Sequence, residues 1–179
     1  MRRLMLLRHA KSDWSTPGTR DEDRPLSARG REAAPKMGAY MARHALVPDL
    51  IIASPATRVI DTLALVLPAF AKQPKTIPDG RLYETDADEL LKVIKGTSHS
   101  VHSLLLVGHN PSLADLASLL IASGDVGIRQ RLIEKFPTAA LAEFSVAESW
   151  QQLDTGAGHL IRFLVPRDLR NSQLPETAA

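Results

Sequence analysis

The chain has 179 residues, 44% hydrophobic and 23% charged, with 22 Lys and Arg against 20 Asp and Glu for a net charge of +2 and a pI near 9.1. That is the composition of one soluble globular domain; no apolar run approaches the roughly 20 residues that cross a bilayer, and the start is too short for a secretory signal. Zero cysteines leave no basis for disulfides or thiol catalysis and point to a reducing, cytoplasmic address, while 4% aromatics without a Lys/Arg cluster argue against a nucleic-acid surface.

Leu4 to Leu7 is a short continuous apolar run, as a strand makes when both its faces are covered, and it stops at Arg8 and His9. In an open α/β sheet, ligands sit beyond the carboxyl ends of the strands, so this pair faces a candidate site. Arg supplies forked donors for phosphate, and a neutral His is a nucleophile near pH 7. Residues 10 to 26 hold Pro17, Gly18, Pro25 and five charges between Arg20 and Arg24, and read as a polar loop. Ser27 caps a helix carrying Ala33, Met37, Tyr40 and Met41, with His44 at its end and Pro35 a potential bend.

Asp49 to Ala53 is a second buried-strand signal. Ser54 at a cap and Pro55 at the first helical position then start a helix with the ladder Val59, Leu63, Val66, Leu67. This places Arg58 in a first turn, where free N–H groups and the helix dipole suit an anion; the alternative is a solvated Arg on an exposed face. A weak strand at Lys75 to Ile77 leads through Pro78-Asp79-Gly80 to Arg81-Leu82-Tyr83-Glu84. Thr85 is expected to cap a helix over Asp86 to Lys95, whose acidic first turn does not match the register of a calcium loop.

His102 to Val107 is the clearest buried strand and runs into Gly108-His109-Asn110-Pro111-Ser112, followed by an apolar helix over Leu113 to Ile121. A His between Gly and Asn-Pro at a strand end is hard to explain as core filling. Residues 123 to 137 read as an excursion. Ala139 to Val146 and His159 to Val165 close the sheet, antiparallel in part, with His159 on the end away from the site. The domain is expected over residues 1–166, and the polar tail of residues 167–179 is expected to fray.

Three strand ends thus each deliver a phosphate-competent group: Arg8-His9, Arg58 and His109. Together with Asp23-Arg24-Pro25-Leu26-Ser27-Ala28-Arg29-Gly30, Ser54-Pro55-Ala56-Thr57-Arg58 and Val107-Gly108-His109-Asn110-Pro111, the pattern resembles the histidine phosphatase superfamily, and within it the short phosphohistidine phosphatase SixA branch. The resemblance implies a phosphoglycerate-mutase-like α/β fold, a three-layer αβα sandwich with a mostly parallel sheet of about six strands. It implies that His9 is the phosphorylated nucleophile, that Arg8, Arg58 and His109 bind the phosphoryl group, and that no metal or cofactor takes part. Glu84 stands where the family's proton donor is sought, with a solvated surface glutamate as the alternative.

The mutase branch follows its Arg-His with Gly-Glu and ends that loop with Trp-Asn, whereas this chain has Ala10-Lys11 and Trp14-Ser15. The chain also lacks the long insertions that would build a lid. The expected partner is therefore a phosphorylated protein bearing phosphohistidine, or a small phosphomonoester, with neither nucleic acid nor membrane. A non-catalytic phosphate-binding protein is the other class of function, disfavoured by retention of all four pocket residues.

Overall fold

The apolar run Leu4 to Leu7 belongs to β1 (Arg2–Arg8), which lies inside a sheet covered on both faces. Leu4 and Leu6 enter one core while Met5 and Leu7 enter the other, which is why no position alternates with polar residues. The computed structural model describes residues 1–173.

The elements that follow are α1 (Ala28–Arg43), β2 (Leu50–Ala53), α2 (Thr57–Val66), β3 (Lys75–Pro78), α3 (Ala87–Lys95) and β4 (Ser103–Gly108). After these come α4 (Ser112–Leu120), β5 (Ile121–Gly124), α5 (Val126–Glu134), β6 (Leu141–Val146) and β7 (Gly158–Leu164). The sheet has seven strands in the order β3-β2-β4-β1-β6-β7-β5, where about six were expected. β1, β2, β3 and β4 pair in parallel, β6 is antiparallel to both β1 and β7, and β5 is parallel to β7. β7 therefore runs in the direction of β1, and His159 lies at the end opposite His9, as expected.

On one face α1 and α2 cover Met5, Leu7, Ile51, Leu105 and Val107. On the other, α3 and α4 cover Leu4, Leu6, Ile52, Leu104 and Leu106. The seventh strand arises because the helix expected to reach Ile121 stops at Leu120, and Ile121–Gly124 pairs with β7 instead. The expected excursion over residues 123–137 contains α5, capped by Asp125, whose Oδ1 accepts from the Ile128 N–H at 3.0 Å. Ser27 caps α1 as expected, accepting from the Gly30 N–H at 3.2 Å, and His44 ends it, stacked on Tyr40 with centroids 4.1 Å apart. Two other caps differ from expectation. Asp86, not Thr85, caps α3 by accepting from the Glu89 N–H at 2.9 Å, because its carboxylate competes better for that donor. α2 begins at Thr57 without a side-chain cap, and Ser54 is used elsewhere.

The stretch expected to fray opens as a 3-10 helix, Pro166–Gln173, with Leu169 buried against the core that holds α1; its remainder, 174–179, lies outside the described residues. Among the described residues no helix is long and apolar enough to cross a membrane.

Candidate active site

The carboxyl ends of β1, β2 and β4 lie side by side. Arg8 is in register with Gly108 and Ala53 with Val107, and the next residues are tied across the strand ends by His9 N–H to Gly108 O at 3.1 Å and Ser54 N–H to Val107 O at 3.0 Å. Arg8, His9, Ser54 and His109 are thereby brought to one edge of the sheet, and α2, starting just past β2, adds Arg58. His9, Arg58 and His109 are all buried, and the two imidazoles sit 5.2 Å apart between centroids.

The hydrogen bond of His9 assigns its tautomer. His9 Nδ1 is 2.7 Å from the Ala10 carbonyl oxygen, which can only accept, so Nδ1 carries the hydrogen and Nε2 keeps its lone pair. Burial pushes the His9 pKa down to about 3, and the charges of His109, Arg58 and Arg8 push the same way. The ring is a neutral nucleophile across the physiological range. His109 Nε2 lies 2.7 Å from Ser54 Oγ, which itself accepts from the Ala56 N–H at 3.3 Å. The Ser54 hydroxyl can donate to Nε2 or accept from it, and Nδ1 is buried with no hydrogen-bond partner among the described residues. Burial, followed by the Arg58 charge, lowers the His109 pKa to about 4.

The guanidiniums are only partly satisfied. Arg8 donates from Nη1 to the Phe136 carbonyl at 3.0 Å, and that oxygen also takes Asn110 Nδ2 at 2.8 Å. Arg58 donates to the Asp21 carbonyl at 2.7 Å and to Asp21 Oδ2 at 3.1 Å. The Nε of each Arg is buried and unpartnered. Native structures pair such donors, so the two unpaired Nε–H groups suit an anion with several acceptor oxygens. Burial and the neighbouring Arg58 charge lower the Arg8 pKa, and among the described residues no carboxylate pairs with Arg8.

Sequence reasoning missed the group that organises this mouth. Asp21 accepts from Arg24 at 2.6 Å, Arg58 and the Tyr83 hydroxyl at 2.7 Å, and Tyr83 packs edge-on to His109. Those bonds, Tyr83 first, hold the Asp21 carboxyl well below the usual carboxylate range, and the same contact raises the Tyr83 phenol to about 12. Arg24 also donates to Ser12 Oγ at 2.9 Å and lies 3.4 Å over the Trp14 ring. Nothing in the charge run from Arg20 to Arg24 distinguishes Asp21 from Asp23, because the partners come from distant segments. Glu84 is exposed, with a left-handed φ of 50°, and among the described residues its carboxylate makes no hydrogen bond or ion pair. The structure brings Arg8, His9, Arg58 and His109 together and leaves Glu84 outside that network. Among the described residues no cluster of His, Asp and Glu forms a metal-binding set.

An uncharacterized protein of Mycobacterium tuberculosis is 35% identical over 164 residues, covering 90% of this chain and all of the relative. A structure from Agrobacterium tumefaciens, described as a candidate phosphohistidine phosphatase SixA, superposes with a TM-score of 0.79 at 31% identity over 92% of this chain and 98% of that one. The protein histidine phosphatase SixA complexed with tungstate shares the fold, with a TM-score of 0.75 at 20% identity over 93% and 99% of the two chains. Residues 4–109, which carry all four of the clustered side chains, match the histidine phosphatase superfamily (branch 1), and this chain belongs to that superfamily as a histidine phosphatase enzyme.

Proposed function

We propose that the protein is a metal-independent phosphatase that takes the phosphoryl group from protein phosphohistidine through a covalent intermediate on His9, acting in the cytoplasm. The observation that carries this is the His9 ring, neutral and with its lone pair on Nε2, held beside a second imidazole, the buried Arg58 and the half-buried Arg8, whose Nε–H groups both lack partners among the described residues.

His9 Nε2 attacks phosphorus in line, the N–P bond to His9 forms, and the P–N bond to the substrate imidazole breaks. The departing imidazole takes up a proton from solvent water. Water then attacks the phosphohistidine, inorganic phosphate leaves and His9 returns to its neutral form. Arg8, Arg58 and His109 stabilise the negative charge spread over the equatorial oxygens, which is electrostatic catalysis by positioned donors. An imidazole substrate is favoured by the exposed Glu84, which has no partner among the described residues, because imidazole is a weaker base than an alkoxide and leaves with less help from an acid. The match over 98% of the similar Agrobacterium chain at 31% identity supports the same substrate class.

The test is a rapid quench with a phosphohistidine-bearing domain and, separately, nitrophenyl phosphate, each with EDTA present. Both should turn over with chelator, and mass spectrometry should place the trapped phosphate on His9. His9→Ala should form no intermediate, while Arg58→Ala should remain a slow enzyme, down by about 10² to 10³ as for loss of one transition-state donor. Phosphate trapped on His109 would reverse the two roles. Turnover of nitrophenyl phosphate alone would make the protein a small-molecule phosphomonoesterase.

A further inference from the structure

A groove of about 440 Å³ adjoins the candidate active site without being part of it. Lys11 and Thr138 both line it; the first lies two residues beyond His9, and the second precedes Ala139, whose N–H bonds the carbonyls of Arg8 and His9. Apolar lining comes from Phe163 near the carboxyl end of β7 and Val165 just past it. Leu7 pairs with Leu141 and Leu141 with Leu164, so this lining is two strands across from β1, roughly 10 Å at the usual strand spacing.

The rim is strongly cationic. Lys11, Arg29, Lys36, Arg131, Lys135 and Arg167 line the groove, against Glu32 and Glu134. Two cations are compensated, Lys36 by Glu32 and Arg131 by Asp168. Lys11, Arg29, Lys135 and Arg167 are exposed and have no carboxylate partner among the described residues. Arg29 stands in the first turn of α1, where the helix dipole disfavours a cation and no acidic residue shares the turn, so the dipole does not account for it. A molecule with net charge of only +2 thus concentrates its positive charge beside its reactive His.

We infer that this groove docks an acidic segment of the phosphoprotein substrate, next to the phosphorylated side chain. The inference rests on the phosphohistidine assignment above. The chemistry of the rim favours a polypeptide over a second phosphate on a small molecule. Its cations are exposed and spread over four separate segments, whereas a small anion is held by donors that converge, partly buried, on one point. An acidic chain lying along an apolar lining meets spread charges with several carboxylates at once, and such contacts raise encounter rate and select the partner.

The experiment uses two peptides carrying one phosphohistidine, flanked by Asp and Glu in one and by Asn and Gln in the other, together with nitrophenyl phosphate. The enzyme should prefer the acidic peptide by about tenfold or more in kcat/KM, through KM, and the preference should shrink as salt shortens the screening length from ~10 Å at 0.1 M to ~3 Å at 1 M. Arg29→Glu with Lys135→Glu should abolish the preference and leave the neutral peptide and nitrophenyl phosphate unchanged. Calorimetry with the unphosphorylated acidic peptide provides a readout independent of turnover: binding to the parent protein, lost in the double variant. Equal kcat/KM for the two peptides, a preference that survives the double variant, or an equal loss on nitrophenyl phosphate would each overturn the groove. Displacement of the acidic peptide by stoichiometric pyrophosphate would reassign it to small anions. Hydrolysis of neither peptide, with calorimetric binding intact, would sink the phosphohistidine assignment alone.

Discussion

Glu84 and His9 illustrate what a single side chain can and cannot do from where it stands. Glu84 is exposed and without a partner among the described residues, so a role as general acid would have to be exercised on a leaving group that needs a proton. Glu84→Gln should then slow an alkyl phosphate by about 10² to 10⁴ and barely affect phosphohistidine or nitrophenyl phosphate. Parallel steady-state kinetics on the three substrates check this, and no loss on any returns Glu84 to the solvated surface. His9 and His109 carry the opposite expectation, since burial keeps both neutral with pKa values near 3 and 4. Of the six histidines, these two should show imidazole resonances that do not move between pH 5 and 8 in the free enzyme. Titration of either near 6.5 would remove the argument for a standing neutral nucleophile.

The loop between β1 and α1 is held by contacts that only an element-level description exposes. Ser12 and Leu26 form an antiparallel bridge, Ser27 N–H donates to the Lys11 carbonyl at 2.9 Å, and Asp13 N–H donates to Pro25 O at 2.8 Å. This closure requires α1 to approach the chain very closely at Gly30, where a Cβ would stand 2.2 Å from the Lys11 carbonyl oxygen. That neighbour is backbone and cannot swing away. Gly30→Ala should therefore cost about 1 to 3 kcal/mol, the range for overpacking, measured as a lower urea midpoint. It should also lower kcat, because the strained carbonyl lies two residues from His9. An unchanged kcat at reduced stability would separate the loop from the chemistry. Gly38 plays the same part farther along α1, where a Cβ would meet the Val66 carbonyl oxygen at 2.5 Å, so two glycines on one stripe let α1 lie against both the loop and α2.

For the molecule as a whole, the two neutral histidines couple the site to stability. Their folded pKa values lie below the unfolded value of about 6.5, so the unfolded chain binds protons that the folded one does not as pH falls. The stabilisation is fully present above pH 6.5 and is lost as pH drops from there towards 4 and 3. By pH 5 the loss is about 2 kcal/mol for each His by this linkage, and a His9→Asn, His109→Gln double variant should flatten the dependence in urea titrations. The sequence by itself determined the strands that end in Arg8-His9, Ser54 and Gly108-His109, because uninterrupted apolar runs require burial on both faces and stop where polar chemistry begins. It also marked Arg58 and the cap at Ser27, both local signals carried by neighbouring residues. Other features were decided only in three dimensions. Asp21 meets Arg58 and Tyr83 across 37 and 62 positions of chain, and Ser54, expected as a helix cap, turns to His109 55 positions away. Leu169 is buried in an apolar core although its neighbours in sequence are polar. β5 forms where an apolar helix seemed to continue, because pairing with β7 outweighs one more helical turn. Local pattern reports which backbone a segment prefers; which distant side chain satisfies a buried donor is settled only when the strands are set in order.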